Sequence, residues 1–279
     1  MPLTLESAGN VPIQAPSSRS IDQASVIMPL HYLRSFTSPE RSARANARLG
    51  MTLAFIAGAT NAGGFLAIGY YTSHMSGIVA SVSDNLITGN RGIALAAVIC
   101  LLAFMSGAAT SAILINWGRR RRASSEYAMP LLLEAALLLC FGLLGANLEK
   151  HLVLFVPATV ALLCYIMGLQ NAIITKISRS EIRTTHVTGL VTDIGIELGK
   201  MMYWNTDRTP VRDRMHVGAD YKKLTLLATL LSSFFVGGLA GAMGFKSFGF
   251  ITTMPLACML VILAVVPLWD DCVGRHPAP

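Results

Sequence analysis

Two histidines sit in near-identical polar settings within an otherwise apolar chain: His74 in "TSHMSGIVAS" (72–81) and His186 in "TTHVTGLVTD" (184–193). Imidazole titrates near neutral pH, so a histidine beside a carboxylate can relay a proton or couple one to solute movement. The second copy supplies that carboxylate. On a helix starting near His186, Asp193 is seven residues on and shares its face, with Gly189 between them. In the first copy Gly77 takes the place of Gly189, but Ser81 stands where Asp193 would, and Asp84 comes three residues later. A site built from the two copies is therefore unequal, and the second copy is the more ion-sensitive.

Other residues join these as candidates. Ionisable groups inside a membrane cost about 2.5–3.5 kcal/mol on insertion scales, which makes Glu134 and Glu197 functional candidates by default. Glu134 can carry a proton, or snorkel and pair with an arginine near the inner end of its span. Asn61 and Asn171 lie inside apolar spans, where an amide can line a solute path or bond one helix to another. Thr185 and Ser73 each precede a histidine and fit a helix N-cap. A capped helix start at membrane depth suits an anion or a carboxylate-bearing solute, whereas at an interface it is a cap and nothing more. The five cysteines have the spacing of neither a zinc site nor a disulfide framework and read as small packing residues; no metal or cofactor is expected.

These side chains need elements that can hold them. Of the 279 residues, 53% are hydrophobic and only 13% charged, against about 25% charged in soluble domains, so the solvent is lipid. Leu49–Ser73, Gly92–Ile115, Leu152–Thr175, Leu224–Phe245 and Ser247–Trp269 each supply 22 or more residues without Asp, Glu, Lys or Arg. About 20 such residues make a helix that crosses a bilayer. Tyr127–Leu148 has the length but contains Glu134. Residues 1–48 are rich in Ser, Pro, Ala and Arg and lack the apolar core of a cleaved signal peptide, which predicts a disordered basic cytoplasmic tail.

The polar copies extend into a longer duplication. "GATNA" (58–62) matches "GLQNA" (168–172), "FMSGAATSA" (104–112) matches "FVGGLAGAM" (235–243), and "MPL" recurs at 129–131 and 254–256. Gly237/Gly241 and Gly195/Gly199 have the GxxxG spacing that permits close helix approach. The segments 75–90 and 187–203 are too short or too polar to cross with ease. If neither crosses, the tail arginines, Arg119–Arg122 and the basic stretch Lys176–Lys223 all fall on the cytoplasmic side, as the positive-inside rule requires. If both cross, Arg119–Arg122 and Lys176–Arg183 are left outside. The fold class is accordingly an all-α polytopic membrane protein of six transmembrane helices plus two short or re-entrant ones, arranged as two inverted three-span repeats; seven or eight spans is the alternative. The repeats cover 49–148 and 149–270, followed by a tail, 271–279.

"GLQNAIITKISRSEIRTTHVTGLVTDIGIELG" (168–199), with the weaker "GATNAGGFLAIGYYTSHMSGIVAS" (58–81), resembles the YoaK-like family of bacterial integral membrane proteins over roughly residues 45–270. The resemblance implies a polytopic inner-membrane protein of unknown function, with no substrate, cofactor or catalytic residue attached.

Inverted three-span repeats with polar segments at helix breaks are the architecture of many secondary transporters. The leading reading is thus a small-solute permease with both termini cytoplasmic, optionally proton-coupled, whose pathway residues are Asn61, His74, Gly77, Glu134, Asn171, Thr185, His186, Gly189, Asp193 and Glu197. A membrane enzyme acting on a lipid-like substrate is the alternative, although no HExxH or GxSxG spacing is present. A non-catalytic membrane scaffold is a third. The partners expected are the lipid bilayer and an unidentified solute, with no nucleic acid; the sequence leaves the oligomeric state open.

Overall fold

In lipid every backbone polar group must be satisfied internally, and an α-helix does this within one segment. The computed structural model describes residues 43–69, 71–121, 126–146, 152–177, 187–203 and 218–272. These form eight α-helices: α1 (Ala43–Ile68), α2 (Met75–Ile87), α3 (Arg91–Arg120), α4 (Ala128–Gly145), α5 (Leu152–Ile177), α6 (Val187–Met202), α7 (Tyr221–Phe248) and α8 (Thr253–Cys272). Residues 1–42 and 273–279 lie outside the described residues. Both terminal boundaries differ from the sequence expectation: α1 begins at Ala43, within the expected tail, and α8 runs on to Cys272. The Ala- and Arg-rich run at 43–48 has high helix propensity and prolongs the helix that follows it.

Five runs have the length and composition to cross a membrane: Ala47–Ile68, Arg91–Arg120, Ala128–Gly145, Val156–Lys176 and Tyr221–Val265. The last covers 45 residues but is not one rod. Gly249 takes φ 60°, and a 3-10 turn over Gly249–Thr252 separates α7 from α8. The long apolar helices are therefore α1, α3, α4, α5, α7 and α8. The short ones, α2 with 13 residues and α6 with 16, fall below the roughly 20 that a crossing needs.

Small residues decide which helices meet. α1 packs along α7, α3 along α5, and α4 against α8. A Cβ added to Gly58 would overlap the Phe234 carbonyl, and one added to Gly237 would overlap that of Phe55. The other pair repeats this, Gly107 lying against the Tyr165 carbonyl and Gly168 against that of Phe104. Such backbone-to-backbone approach is how helices gain contact where lipid offers no hydrophobic drive. The sequence match of Phe104 with Phe235 thus slips by one. The equivalent of Phe104 is Phe234, and the buried series Gly107, Ser111, Ile115 matches Gly237, Gly241, Phe245. The packed face is set by which small residue meets the opposing carbonyl. Of the two GxxxG pairs, Gly237/Gly241 forms a close contact, whereas Gly195 and Gly199 face open space.

The contacts also fix direction. Phe55 meets Gly237, Ala59 meets Gly241 and Gly63 meets Phe245, so α1 and α7 run the same way. Gly142 and Gly145, late in α4, meet Thr253 at the start of α8 and Phe250 in the turn before it, so these two helices are antiparallel. Arg119 bonds Glu126 and Tyr127 across the turn from α3 to α4. Gln170, late in α5, donates to the carbonyl of Leu53 in the first half of α1 at 3.3 Å. It follows that α1, α4 and α7 begin on one side of the bundle, and α3, α5 and α8 end there. Neither α2 nor α6 changes side.

Candidate functional site

α1 ends where Gly69 adopts φ 74° and donates its N–H to the Phe65 carbonyl at 2.7 Å. Glycine takes this left-handed cap without a Cβ penalty, and the chain reverses. It then runs back down α1. The Tyr71 ring stacks on Phe65 with centroids 4.5 Å apart, and the Ser73 hydroxyl donates to Asn61 Oδ1 at 2.9 Å. Only then does α2 begin, at Met75, and climb back beside the first part of α3. The segment is re-entrant: α2 starts at the depth of Asn61, about two turns below the end of α1.

The N-cap of α2 is His74 itself, with φ −90° and ψ 69°, and no side chain caps the helix. The expected capping by Ser73 does not occur, because its hydroxyl is committed to Asn61. His74 folds back over the first turn of α2. A Cβ on Gly77 would overlap the imidazole, so the glycine three residues after the histidine leaves room for the ring. His74 N–H and Met75 N–H are taken by the carbonyls of Tyr71 and Ser73. Near this helix start the hydroxyls of Thr60 and Thr72, each 1% exposed, have no hydrogen-bond partner among the described residues. Above it a mainly apolar cavity of about 350 Å³ lies among Ile68, Ile78, Ser81, Ile93, Cys100 and Val160.

The carboxylates of the second copy do different work. Glu197 accepts from Lys200 Nζ at 2.9 Å and from the Asp220 N–H at 2.9 Å, with Lys223 Nζ 3.9 Å away. Asp220 in turn caps α7 by accepting from the N–H groups of Lys222 and Lys223. The Asp220 N–H, the Lys200 hydrogen bond and the charges of Lys200 and Lys223 hold the Glu197 carboxyl below its usual range, against a smaller opposing effect of burial. Glu197 is thus a clamp between α6 and α7. Asp193 is half-exposed and lies 4.0 Å from Lys223 Nζ. Glu134 does not snorkel, and among the described residues it pairs with no arginine. It is 0% exposed, and neither carboxylate oxygen has a partner among the described residues.

A family described as a protein of unknown function (DUF1275) matches residues 49–266. The chain belongs to that family. No curated protein and no solved structure matches it. In this DUF1275 chain the match begins in α1 and takes in all the helices to most of α8.

The structure brings Asn61, His74 and Gly77 together around one helix start, and it places Glu134 in α4. Asn171 is buried in α5. Gly189 lies exposed in the first turn of α6. Thr185 and His186 lie outside the described residues, as do Thr184, Arg122 and residues 204–217. Sequence reasoning passed over Thr60, Thr72 and Gln170, although each is a polar residue beside a selected one in an apolar stretch.

Proposed function

We propose that this multi-pass membrane protein is a small-solute permease or secondary transporter built from two inverted three-span halves. The observation that carries the reading is the Ser73–Asn61 hydrogen bond, which sets the start of α2 level with Asn61, about two turns below the end of α1. Irregular backbone at membrane depth persists only where it is buried in protein or lines a water-filled cavity. Broken helices meeting near the midplane are where secondary transporters bind solutes. The buried, unpartnered hydroxyls of Thr60 and Thr72 give a solute something to bond. With three long helices per half, the second half is reversed relative to the first, a reading the opposed directions of α4 and α8 support.

Charge supports an orientation. Arg48, Arg119, Arg120, Arg121, Lys176, Lys200, Lys222 and Lys223 lie on the side where α1 begins; Arg91 and Lys246 lie on the other. The positive-inside rule makes the first side cytoplasmic, with both termini there, in a bacterial inner membrane.

The test is solute uptake by the full chain in proteoliposomes, screened with and without a pH gradient. Uptake should be lost in Asn61→Ala and His74→Ala variants that keep wild-type thermal stability. A cysteine placed at position 73 should be labelled by a water-soluble thiol reagent, and transported solute should change the rate. Folded protein that moves no solute, with position 73 inaccessible throughout, would overturn the proposal.

A further inference from the structure

A second polar feature lies away from the re-entrant hairpin, on the side where α4 begins. The buried face of α4 carries Leu131, Glu134, Ala135, Leu138 and Phe141. Among these aliphatic and aromatic groups Glu134 is 0% exposed, and both its oxygens lack a hydrogen-bond partner. Two more buried oxygens are unmet on the helices that pack with α4. Ser111 Oγ on α3 is one, and Gln170 Oε1 on α5 is the other. Arg119 opposite Tyr127 sets the register of the α3–α4 turn, so Ser111 and Glu134 stand level, about two turns in from it. Gln170 is likewise about two turns from the end of α5 at Ile177.

The described titratable side chains on the helices packed against α4 are Cys164, Tyr165 and Lys176 on α5, Cys258 on α8, and Cys100, Arg119, Arg120 and, at the far end, the exposed Arg91 on α3. Arg119 is bound to Glu126, Tyr165 donates to Thr110 at 2.8 Å, and Lys176 and Arg120 are exposed. None supplies Glu134 with a counter-charge. A bare carboxylate in such a place carries the full cost of an unpaired charge away from water. A metal cation needs several oxygen ligands, and among the described residues no group of three or more His, Cys, Asp or Glu could hold one. A proton needs only one oxygen.

We propose that Glu134 is a proton-binding site of the membrane domain, loaded in the arrangement seen here and emptied when α4 parts from α3 and α5. The inference deepens the transporter reading by naming the ion that would drive it. Bound to Glu134, the proton makes the side chain a neutral donor. Its release would demand water or a cation in its place, so loading and helix separation are linked.

The test uses the full chain in liposomes treated with dicyclohexylcarbodiimide, an apolar reagent that adds to protonated carboxyl groups, with the adduct located by mass spectrometry. Glu134 should be modified while the partnered Glu126 and Glu197 are not. Modification should fall about tenfold per pH unit above its midpoint. Glu134→Gln should abolish the adduct and leave thermal stability unchanged, because the amide mimics the loaded acid. No adduct at any pH, or protection by sodium or potassium at fixed pH, would overturn the proposal. The readout needs no solute, so a failed uptake assay and a failed proton site remain distinguishable.

Discussion

Gly58 and Gly195 make opposite predictions for the same substitution. A methyl group on Gly58 would overlap the Phe234 carbonyl and crowd Gly238 N–H, whereas one on Gly195 meets nothing within 4 Å. Neither the α1 nor the α7 backbone can rotate away as a side chain would, so the helices must part by about an ångström in a close-packed contact. Overpacking of this kind costs about 1–3 kcal/mol. Replacing a mid-helix glycine by alanine returns about 0.5–1 kcal/mol. That gain is common to both variants, so the stability difference between them isolates the overpacking at about 1–3 kcal/mol. Gly195→Ala should be slightly more stable than the parent chain, and Gly58→Ala less stable. Gly168→Ala should behave like Gly58→Ala, because its methyl would overlap the Phe104 carbonyl. Unfolding in mixed micelles by sodium dodecyl sulfate, followed by circular dichroism, gives both values. If Gly58→Ala and Gly168→Ala were as stable as Gly195→Ala, the paired backbone contacts and the helix directions drawn from them would be wrong.

Gly77→Ala should push the His74 imidazole off the first turn of α2 and raise its rate of modification by diethyl pyrocarbonate. Global stability should move by less than about 0.5 kcal/mol because only a side chain has to swing; an unchanged rate counts against the folded-back ring. A double-mutant cycle on Asn61→Ala and Ser73→Ala should give a coupling of about 0.6 kcal/mol, with about 1.7 as the ceiling for such bonds in membranes. Additive single effects would mean the re-entrant loop is not tied to α1. Glu197 has a folded-state value below its free one, so its contribution is complete above about pH 4.3 and is lost as pH falls through the folded value. Hydrogen exchange at the start of α7 should therefore quicken on acidification below that point in the parent chain and not in Glu197→Gln; parallel pH profiles would remove Glu197 from the clamp.

Much of the fold was legible in the sequence. Uncharged runs locate the long helices, since bilayer thickness sets their length and the absence of charge their solvent. Composition also marks 75–87 and 187–202 as too short or too polar to cross. Residue spacing singled out His74 with Gly77, and the structure supplies the steric reason in the first copy. Two GxxxG pairs read alike in sequence, yet only Gly237/Gly241 faces a partner. Spacing tells which residues share a helix face, but the neighbouring helix decides whether that face is packed. The same holds for the acids. Glu197 and Glu134 look equally exceptional in a one-dimensional reading, whereas the fold gives the first two lysines and a backbone N–H and gives the second no partner among the described residues. The sequence alone determined that the chain lives in lipid, roughly where its helices run, and which polar residues needed an explanation, because these follow from local composition and period. Only the tertiary structure decided that α1 pairs with α7 and α3 with α5, that Ser73 reaches back to Asn61, and that Glu134 is alone, because contacts between distant segments depend on how whole helices approach one another.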